Sequence, residues 1–284
     1  MPLLPEGPLR KASLAGAAAV EADLFIDRLG PAGVATVQLR DGGFALAKPK
    51  ISIEKAEAEI IFRELFPPRT ETHQALRFAA AQVVGLPFDN GEVYFQIDAP
   101  RALFIERSRI GWCGGVLTTH AVEMAPGAPE FAVTVYAEHI DLARVFALQS
   151  RLTGEVTGEL YGKLPFAVRD GRLYYEEGFL YSVPGRKGRL RLSETKAMAD
   201  SLGLPAGDPR VGQAEAALED LEYSLLKLDI AGEGELTHLR IQVEGQSVSQ
   251  PELPPVKLNA NIEANVNELI GAGALVNRIN LQGK

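Results

Sequence analysis

Four histidines and one cysteine are the side chains in this sequence best suited to metal binding or nucleophilic catalysis. They are His73, His120, His139, His238 and Cys113. No two histidines have the spacing of a metal-binding motif, and no HExxH sequence occurs. Cys113 has no partner base that the sequence identifies, and beside Trp112 and Gly114-Gly115 it is predicted to be a small residue in a packed strand. These residues therefore predict neither a metal site nor a catalytic centre.

Two shorter patterns resemble motifs of phosphate binding and acid–base catalysis. Residues 158–163 read GELYGK, which is one residue shorter than a phosphate loop, and Leu164 stands where the magnesium-binding hydroxyl belongs. Glu176 and Glu177 are adjacent, so on a strand they point to opposite faces and cannot form a carboxylate pair. A glycan-processing enzyme needs such a pair. We therefore predict a non-enzymatic protein without a cofactor.

Composition and charge narrow the class of protein further. The chain has 284 residues, of which 46% are hydrophobic and 23% charged, as in an ordinary globular protein. Its net charge of -8 argues against a broad nucleic-acid surface and against electrostatic docking on an anionic bilayer. No stretch reaches the roughly 18 apolar residues of a membrane-spanning helix.

Apolar and polar residues alternate along much of the chain, which is the pattern of a strand with one dry face. In residues 92–98, for example, Val93, Phe95 and Ile97 point one way while Glu92, Gln96 and Asp98 point the other. The residues that we expect on the apolar face are Val93, Phe95, Ile97, Leu103, Ile105, Phe131, Val133, Val135, Leu239, Ile241 and Val243. The sequence thus predicts a mainly β protein built on an antiparallel sheet.

Turn and capping signals divide these strands and predict a few short helices. Asp41-Gly42, Asn90-Gly91 and Asp170-Gly171 have the composition of tight hairpin turns. Helices are expected after Asp141, from Ser193 through Met198, from Gln213 to Tyr223, and after Asn265.

Three groups of short segments carry a resemblance to a known family. The first comprises residues 84–86, 90–95, 114–115 and 140–143; the second 152–158, 164–166, 170–171, 178, 184–185 and 188; the third 217–223, 234–236, 245 and 258–259. In this order and spacing they resemble the C-terminal region of AsmA-like, YdbH-type envelope proteins.

The resemblance implies an elongated antiparallel sheet curled into a taco-like hydrophobic groove that carries phospholipid between the inner and outer membranes. The eleven apolar residues above then become candidates for the groove lining. It also implies a periplasmic location, an inner-membrane anchor that this chain lacks, and a lipoprotein partner at the outer membrane that adds a strand to the sheet. We expect residues 1–70 to supply strands that continue the sheet, and residues 71–284 to form the groove domain. Together they would make one continuous domain from a longer protein.

Two alternatives use the same residues. The alternating apolar side chains can fill the core of a closed barrel or sandwich instead of lining a groove. The sheet can also serve as a scaffold that binds a partner protein by strand addition at its edge and moves no lipid.

Overall fold

The computed structural model describes 209 of the 284 residues. The described residues are 12–27, 30–47, 50–98, 102–125, 130–148, 154–169, 172–192, 212, 216, 218–233, 236–252 and 254–264. The expected helices from Ser193 to Met198 and after Asn265 lie outside this part of the chain.

Seventeen strands in the described residues belong to one antiparallel sheet. Their bounds are β1 Ser13–Asp27, β2 Gly30–Leu46, β3 Ile51–Leu65, β4 Pro68–Thr70, β5 Gln74–Val83, β6 Leu86–Ile97, β7 Leu103–Trp112, β8 Gly115–Met124, β9 Phe131–Asp141, β10 Gly154–Val156, β11 Glu159–Arg169, β12 Arg172–Tyr175, β13 Gly178–Ser182, β14 Gly188–Leu192, β15 Leu221–Glu233, β16 Leu236–Ser247 and β17 Val256–Ala264. The prediction of a mainly β chain with one antiparallel sheet and very little helix is confirmed.

The chain divides into two compact units. Unit 1 comprises residues 1–112, 117–133 and 167–172, and unit 2 comprises residues 113–116, 134–166 and 173–284. The predicted division of the chain at residue 70 stays a prediction.

Unit 1 is a run of neighbouring strands that pair in nearly sequential order. β1 pairs with β2, β2 with β3, β3 with β4 and β5, β5 with β6, and β6 with β7. Short connections between antiparallel neighbours explain this order, because each strand needs only a turn to reach the next.

Unit 2 is organised around β15, which pairs with three strands. β14 pairs with its first residues, β13 with its later residues, and β16 with its whole length. The described side chains of this unit with 2% or less of their surface exposed are Ile140, Leu160, Leu218, Leu221, Tyr223 and Ser247. The Tyr223 hydroxyl donates a hydrogen bond to the carbonyl of Thr157 at 2.5 Å, and burial raises its pKa to about 12.

The positions of the tight turns differ from those predicted. Asp41-Gly42 lies inside β2 and Asn90-Gly91 inside β6, where Asp41 and Asn90 have φ values of 49° and 47° at irregularities of the strand pairing. The turn prediction was wrong there because a bulge uses the same left-handed backbone as a hairpin turn. Asp170-Gly171 falls outside the described residues.

Cys113 and Gly114 form the turn between β7 and β8. Their φ values are 46° and 77°, as in a two-residue hairpin turn of the left-handed type. The expectation that Cys113 lies within a packed strand was therefore wrong.

One predicted helix is confirmed and another is shorter than expected. The helix α1 spans Leu142–Ala147, and its cap Asp141 accepts a hydrogen bond from the backbone N–H of Ala143 at 2.8 Å. The described residues of the second predicted helix are helical up to Glu219, but β15 begins at Leu221. The helix therefore ends before Tyr223, whose buried side chain is placed by the strand.

Candidate functional site

Apolar residues form continuous rungs across unit 1, where a rung is a row of residues paired on neighbouring strands and facing the same way. One rung contains Ala18, Leu39, Ala58, Leu76, Val93 and Ser108. A second contains Val20, Val37 and Ile60, then Gln74, Phe95 and Ile105. A third contains Ala22, Ala35, Phe62 and Thr70, then Ile97 and Leu103. We call this surface the inner face of unit 1.

The inner face includes a packed cluster at one end of the rungs. Ala56, Phe78 and Ala81 are buried there, and the half-buried side chains packed against them are Leu39, Ile53, Leu76, Phe88, Val93 and Ile110. The cluster takes side chains from five strands, so the apolar surface is a property of the sheet and not of one strand. Most of its members stay partly exposed, unlike residues in a closed core.

Three polar side chains on the inner face have hydrogen-bond partners within the protein. The Gln74 side-chain oxygen accepts from the N–H of Ile61 at 2.7 Å, and its amide donates to the Thr72 carbonyl at 3.1 Å. The Thr70 hydroxyl accepts from the N–H of Ile97 at 2.9 Å. The hydroxyls of Ser108 and Thr119 lie 2.9 Å apart. Because these groups are satisfied, an adjacent hydrocarbon chain removes no hydrogen bond from them.

The opposite face of unit 1 is charged. Glu57, Arg77, Glu92 and Arg109 pair in this order across β3, β5, β6 and β7, so their charges alternate. Arg77 Nε donates to Glu92 Oε1 at 2.7 Å, and the Tyr94 hydroxyl donates to the same oxygen at 3.0 Å. The hydrogen bond from Tyr94, followed by that from Arg77, holds the pKa of Glu92 below its usual value. The two faces of the sheet therefore differ sharply in polarity.

Unit 2 has an apolar face of the same kind. Its rungs are Leu226, Val243 and Leu258; Leu180, Leu228 and Ile241; and Ile230 with Leu239. The residues between them form the polar face, where Lys227 Nζ lies 2.8 Å from Asp229 Oδ1 and Asp229 pairs with Arg240. We call the three apolar rungs the inner face of unit 2.

The structure brings most of the predicted residues together within each unit. Val93, Phe95, Ile97, Leu103 and Ile105 lie on the inner face of unit 1, and Leu239, Ile241 and Val243 lie on that of unit 2. Phe131, Val133 and Val135 alternate along β9 and are half-buried. Val243 is the most buried of the eleven, with 7% of its surface exposed, and the others are half-buried.

The contribution of β1, β2, β3 and β5 to the apolar face was not predicted from the sequence. In β3 a signal was present, since Ala56, Ala58 and Ile60 alternate with Glu57 and Glu59. In the structure, Ala56, Ala58, Ile60 and Phe62 are less exposed than the residues between them. Alanines carry little hydrophobic surface, which hides the alternation in the sequence.

A polar cleft in unit 2 contains the titratable groups most similar to a catalytic cluster. His139 Nδ1 lies 3.1 Å from Glu159 Oε2, the Tyr161 hydroxyl donates to that oxygen at 2.9 Å, and Arg186 lies 3.5 Å from it. The hydrogen bonds from Tyr161 and then His139 lower the pKa of Glu159, which keeps this carboxylate ionised. A carboxylate with a lowered pKa and an adjacent cation is a weak base, so the cleft has the character of a structural ion cluster.

Within the described residues, no group of three or more His, Cys, Asp or Glu side chains could hold a metal ion. The apolar surface of the described strands is therefore the candidate functional site.

Comparison with known protein families identifies a lipid-transport family, to which an apolar surface is suited. The model of the YdbH-like family, described as intermembrane phospholipid transport protein YdbH, matches residues 9–282. The chain belongs to the YdbH-like family. Its members are lipid transport proteins rather than enzymes, and transport between membranes places them in the cell envelope. The suspected resemblance to YdbH-type proteins is therefore confirmed.

No curated protein and no solved structure matches the chain significantly. In the part of the YdbH-like chain that the structure describes, no helix has the length and apolarity to cross a bilayer.

Proposed function

We propose that this YdbH-like chain conducts phospholipid between the inner and outer membranes as a bridge, with the acyl chains held against its inner faces. The observation that carries the proposal is the one-sided polarity of the sheet, whose rungs in unit 1 run across β1, β2, β3, β5, β6 and β7. A transport family whose cargo has two hydrocarbon tails needs such a surface.

The energetics of an acyl chain explain why the apolar rungs must be continuous. Exposing a methylene group to water costs roughly 0.8 kcal/mol, so a tail of about 16 carbons that leaves a dry surface loses at most about 12 kcal/mol. Movement along a continuous apolar surface avoids this cost because each new contact replaces an old one. The satisfied Gln74, Thr70 and Ser108 do not interrupt that surface.

The head group needs no pocket in this proposal. A charged head group that stays in water avoids the desolvation cost of burial, while only the tails contact the inner face. The proposal includes a periplasmic location, anchoring to the inner membrane and a lipoprotein partner at the outer membrane. These three features rest on the family resemblance and not on contacts among the described residues.

Native mass spectrometry of protein purified from bacterial membranes tests the proposal. We expect the 284-residue chain to retain phospholipid and Phe95→Glu to lose most of it, because the new carboxylate lies in the middle of a rung. Gln96→Glu is the matched control, since it adds the same charge to the adjacent residue, which faces away from Phe95. A chain that carries no phospholipid, or equal loss in both variants, contradicts the proposal.

A further inference from the structure

The end of β1 exposes three consecutive large apolar side chains. The exposed fractions of Leu24, Phe25 and Ile26 are 67%, 56% and 86%. Successive strand residues point to opposite faces, so Leu24 and Ile26 extend from one side of the β1–β2 ribbon and Phe25 from the other. This short segment is apolar on both sides, in contrast to the rungs, which are apolar on one.

Phe66 lies at the same end of the strands. It follows β3, which runs antiparallel to β2, so the end of β3 lies beside the start of β2. A Cβ built on Gly33 of β2 would lie 2.8 Å from Leu24 Cδ2 and 3.3 Å from Leu65 Cδ1, which places Leu24 and Leu65 over the same glycine. The adjacent Phe66 is 57% exposed. Leu24, Phe25, Ile26 and Phe66 together are called the apolar tip.

The apolar tip continues the inner face of unit 1. Leu24 and Ile26 lie on the same side of β1 as Val20 and Ala22, which belong to the second and third rungs. A hydrocarbon chain in contact with the tip is thus also beside the rungs.

The chemistry of the tip favours a fluid hydrocarbon layer as its occupant. A flat protein surface or an added strand covers one side of a ribbon, whereas lipid tails surround both sides of it. Three strand residues extend about 10 Å, which is close to the 5–10 Å depth at which apolar segments enter the headgroup and acyl boundary.

Two arginines near the tip are in ion pairs, and Asp23 beside Leu24 is acidic and exposed. Arg63 lies 3.7 Å from Asp98, and Arg69 lies 3.6 Å from Glu64. Since the described residues beside the tip thus carry no excess of positive charge, the contact with lipid must come from apolar area and not from attraction to anionic head groups.

We propose that the apolar tip inserts into the surface of a phospholipid bilayer and forms a lateral entry point from which acyl chains reach the inner face. The second part rests on the proposed function, while insertion itself does not. The tip would thereby give the groove access to a membrane at the side of the sheet.

Flotation of the 284-residue chain with phosphatidylcholine vesicles tests insertion. We expect the chain to float with the vesicles, and the triple variant Leu24→Ser, Phe25→Ser, Ile26→Ser to reduce the partition coefficient by more than about tenfold. Adding phosphatidylglycerol should not strengthen the binding and raising the salt concentration should not weaken it, because the contact does not depend on attraction between cations and anionic head groups. Val83→Ser is the matched control: Val83 is 39% exposed in the same unit, at the opposite end of the strands.

Several results would overturn insertion. They are a wild-type chain that does not float, a triple variant that floats as well as the wild type, and binding that requires anionic lipid. A self-associated chain that becomes monomeric in the triple variant would assign the tip to a second copy. The single variant Ile26→Ser repeats the test at the most exposed position if the triple variant does not fold.

Native mass spectrometry separates this proposal from the proposed function. In detergent, the tip variant should keep the bound phospholipid that Phe95→Glu loses, while Phe95→Glu should still float with vesicles. Loss of floating with retained lipid supports insertion alone, whereas loss of bound lipid in the tip variant overturns the assignment of separate roles to the tip and the rungs.

Discussion

Asp220 binds two guanidinium groups immediately before β15. Its Oδ1 accepts from Arg189 Nε at 2.6 Å and from Arg191 Nε at 3.2 Å, and its Oδ2 accepts from Arg189 Nη2 at 2.7 Å. The hydrogen bonds from Arg189 are the largest influence, and with those of Arg191 they lower the pKa of Asp220 to about 2. The interaction ties β14 to the start of β15, next to the most buried core of unit 2.

This lowered pKa predicts a pH-dependent contribution to stability. The pKa of Asp220 is about 2 in the folded state and about 3.9 in the unfolded state, so the stabilisation is present above about pH 4 and is lost as the pH falls towards 2. We expect Asp220→Asn to lower the free energy of unfolding at pH 7 by at most about 2 kcal/mol, and by less at about pH 2. Urea unfolding at several pH values measures both quantities.

Glu155→Gln is the control for this prediction. Glu155 lies 3.5 Å from Arg191, but its side chain is 78% exposed, so its removal should change stability little at any pH. An Asp220→Asn variant with the same loss of stability at pH 7 and at about pH 2 would contradict the role of the ionised carboxylate.

The sequence indicates left-handed backbone at Asp41 and Asn90 but not the structural context of these residues. Asp41, Asn90 and Cys113 all have positive φ and are followed by glycine, but the first two are in bulges and the third is in a hairpin turn. Bulge and turn share the local backbone, and only the pairing with neighbouring strands distinguishes them. Local sequence therefore cannot settle where a strand ends.

At the scale of strands, Phe78 of β5 packs beside its paired residue Gly91 of β6. A Cβ on Gly91 would overlap the Phe78 ring. Phe78 itself is one of the three buried residues of the cluster on the inner face. The glycine thus leaves the space that the outer end of the aromatic ring occupies beside the neighbouring strand.

We expect Gly91→Ala to lower the free energy of unfolding by about 1–3 kcal/mol, because the new methyl group displaces the Phe78 ring from the cluster. Thermal or urea unfolding measures the loss. Gly43→Ala is the control, since the added Cβ would lie 3.3 Å from the Ala15 Cβ and its neighbours leave more room.

A double variant decides whether the ring causes this loss. Phe78→Leu removes the ring and should reduce the free energy of unfolding that Gly91→Ala loses. The losses of the two single variants should therefore not add in the double variant. Strict additivity would show that Gly91 acts through the backbone and not through Phe78.

The alternation of apolar and polar residues predicts which face of a strand is apolar. Which strands pair with one another depends instead on contacts between residues distant in sequence. Val93, Phe95 and Ile97 were assigned to the correct common face from spacing alone. The extra residue in β7 opposite Tyr94 and Phe95 was not predicted, although it sets which of Ile105 and Glu106 joins the rung. Register depends on bulges, and these have weak local signals.

At the scale of the whole chain, the family and the sheet could be predicted, but the extent of the apolar face could not. The resemblance rested on residues 84–259, while the rungs begin at β1 and include its small residues Ala18 and Ala22. Ala18 and Ala22 belong to the face because they pair with Leu39 and Ala35 on β2. The site is thus a collective property of neighbouring strands, and no single segment of the sequence encodes it.

A bridge and a carrier with one pocket differ in where lipid contacts the chain. A bridge predicts contact on the inner faces of both units, since every lipid passes along the whole conduit, whereas a single pocket predicts contact in one place. Replacing Val93 or Ile241 with the photoreactive p-benzoylphenylalanine should therefore give phospholipid adducts on irradiation in bacterial cells, detected by mass spectrometry. The same replacement at Gln96 or Arg240, which lie on the opposite faces, should give none. Adducts at Val93 but not at Ile241 would indicate a pocket confined to unit 1, and equal adducts on both faces of the sheet would contradict a lipid path along the rungs.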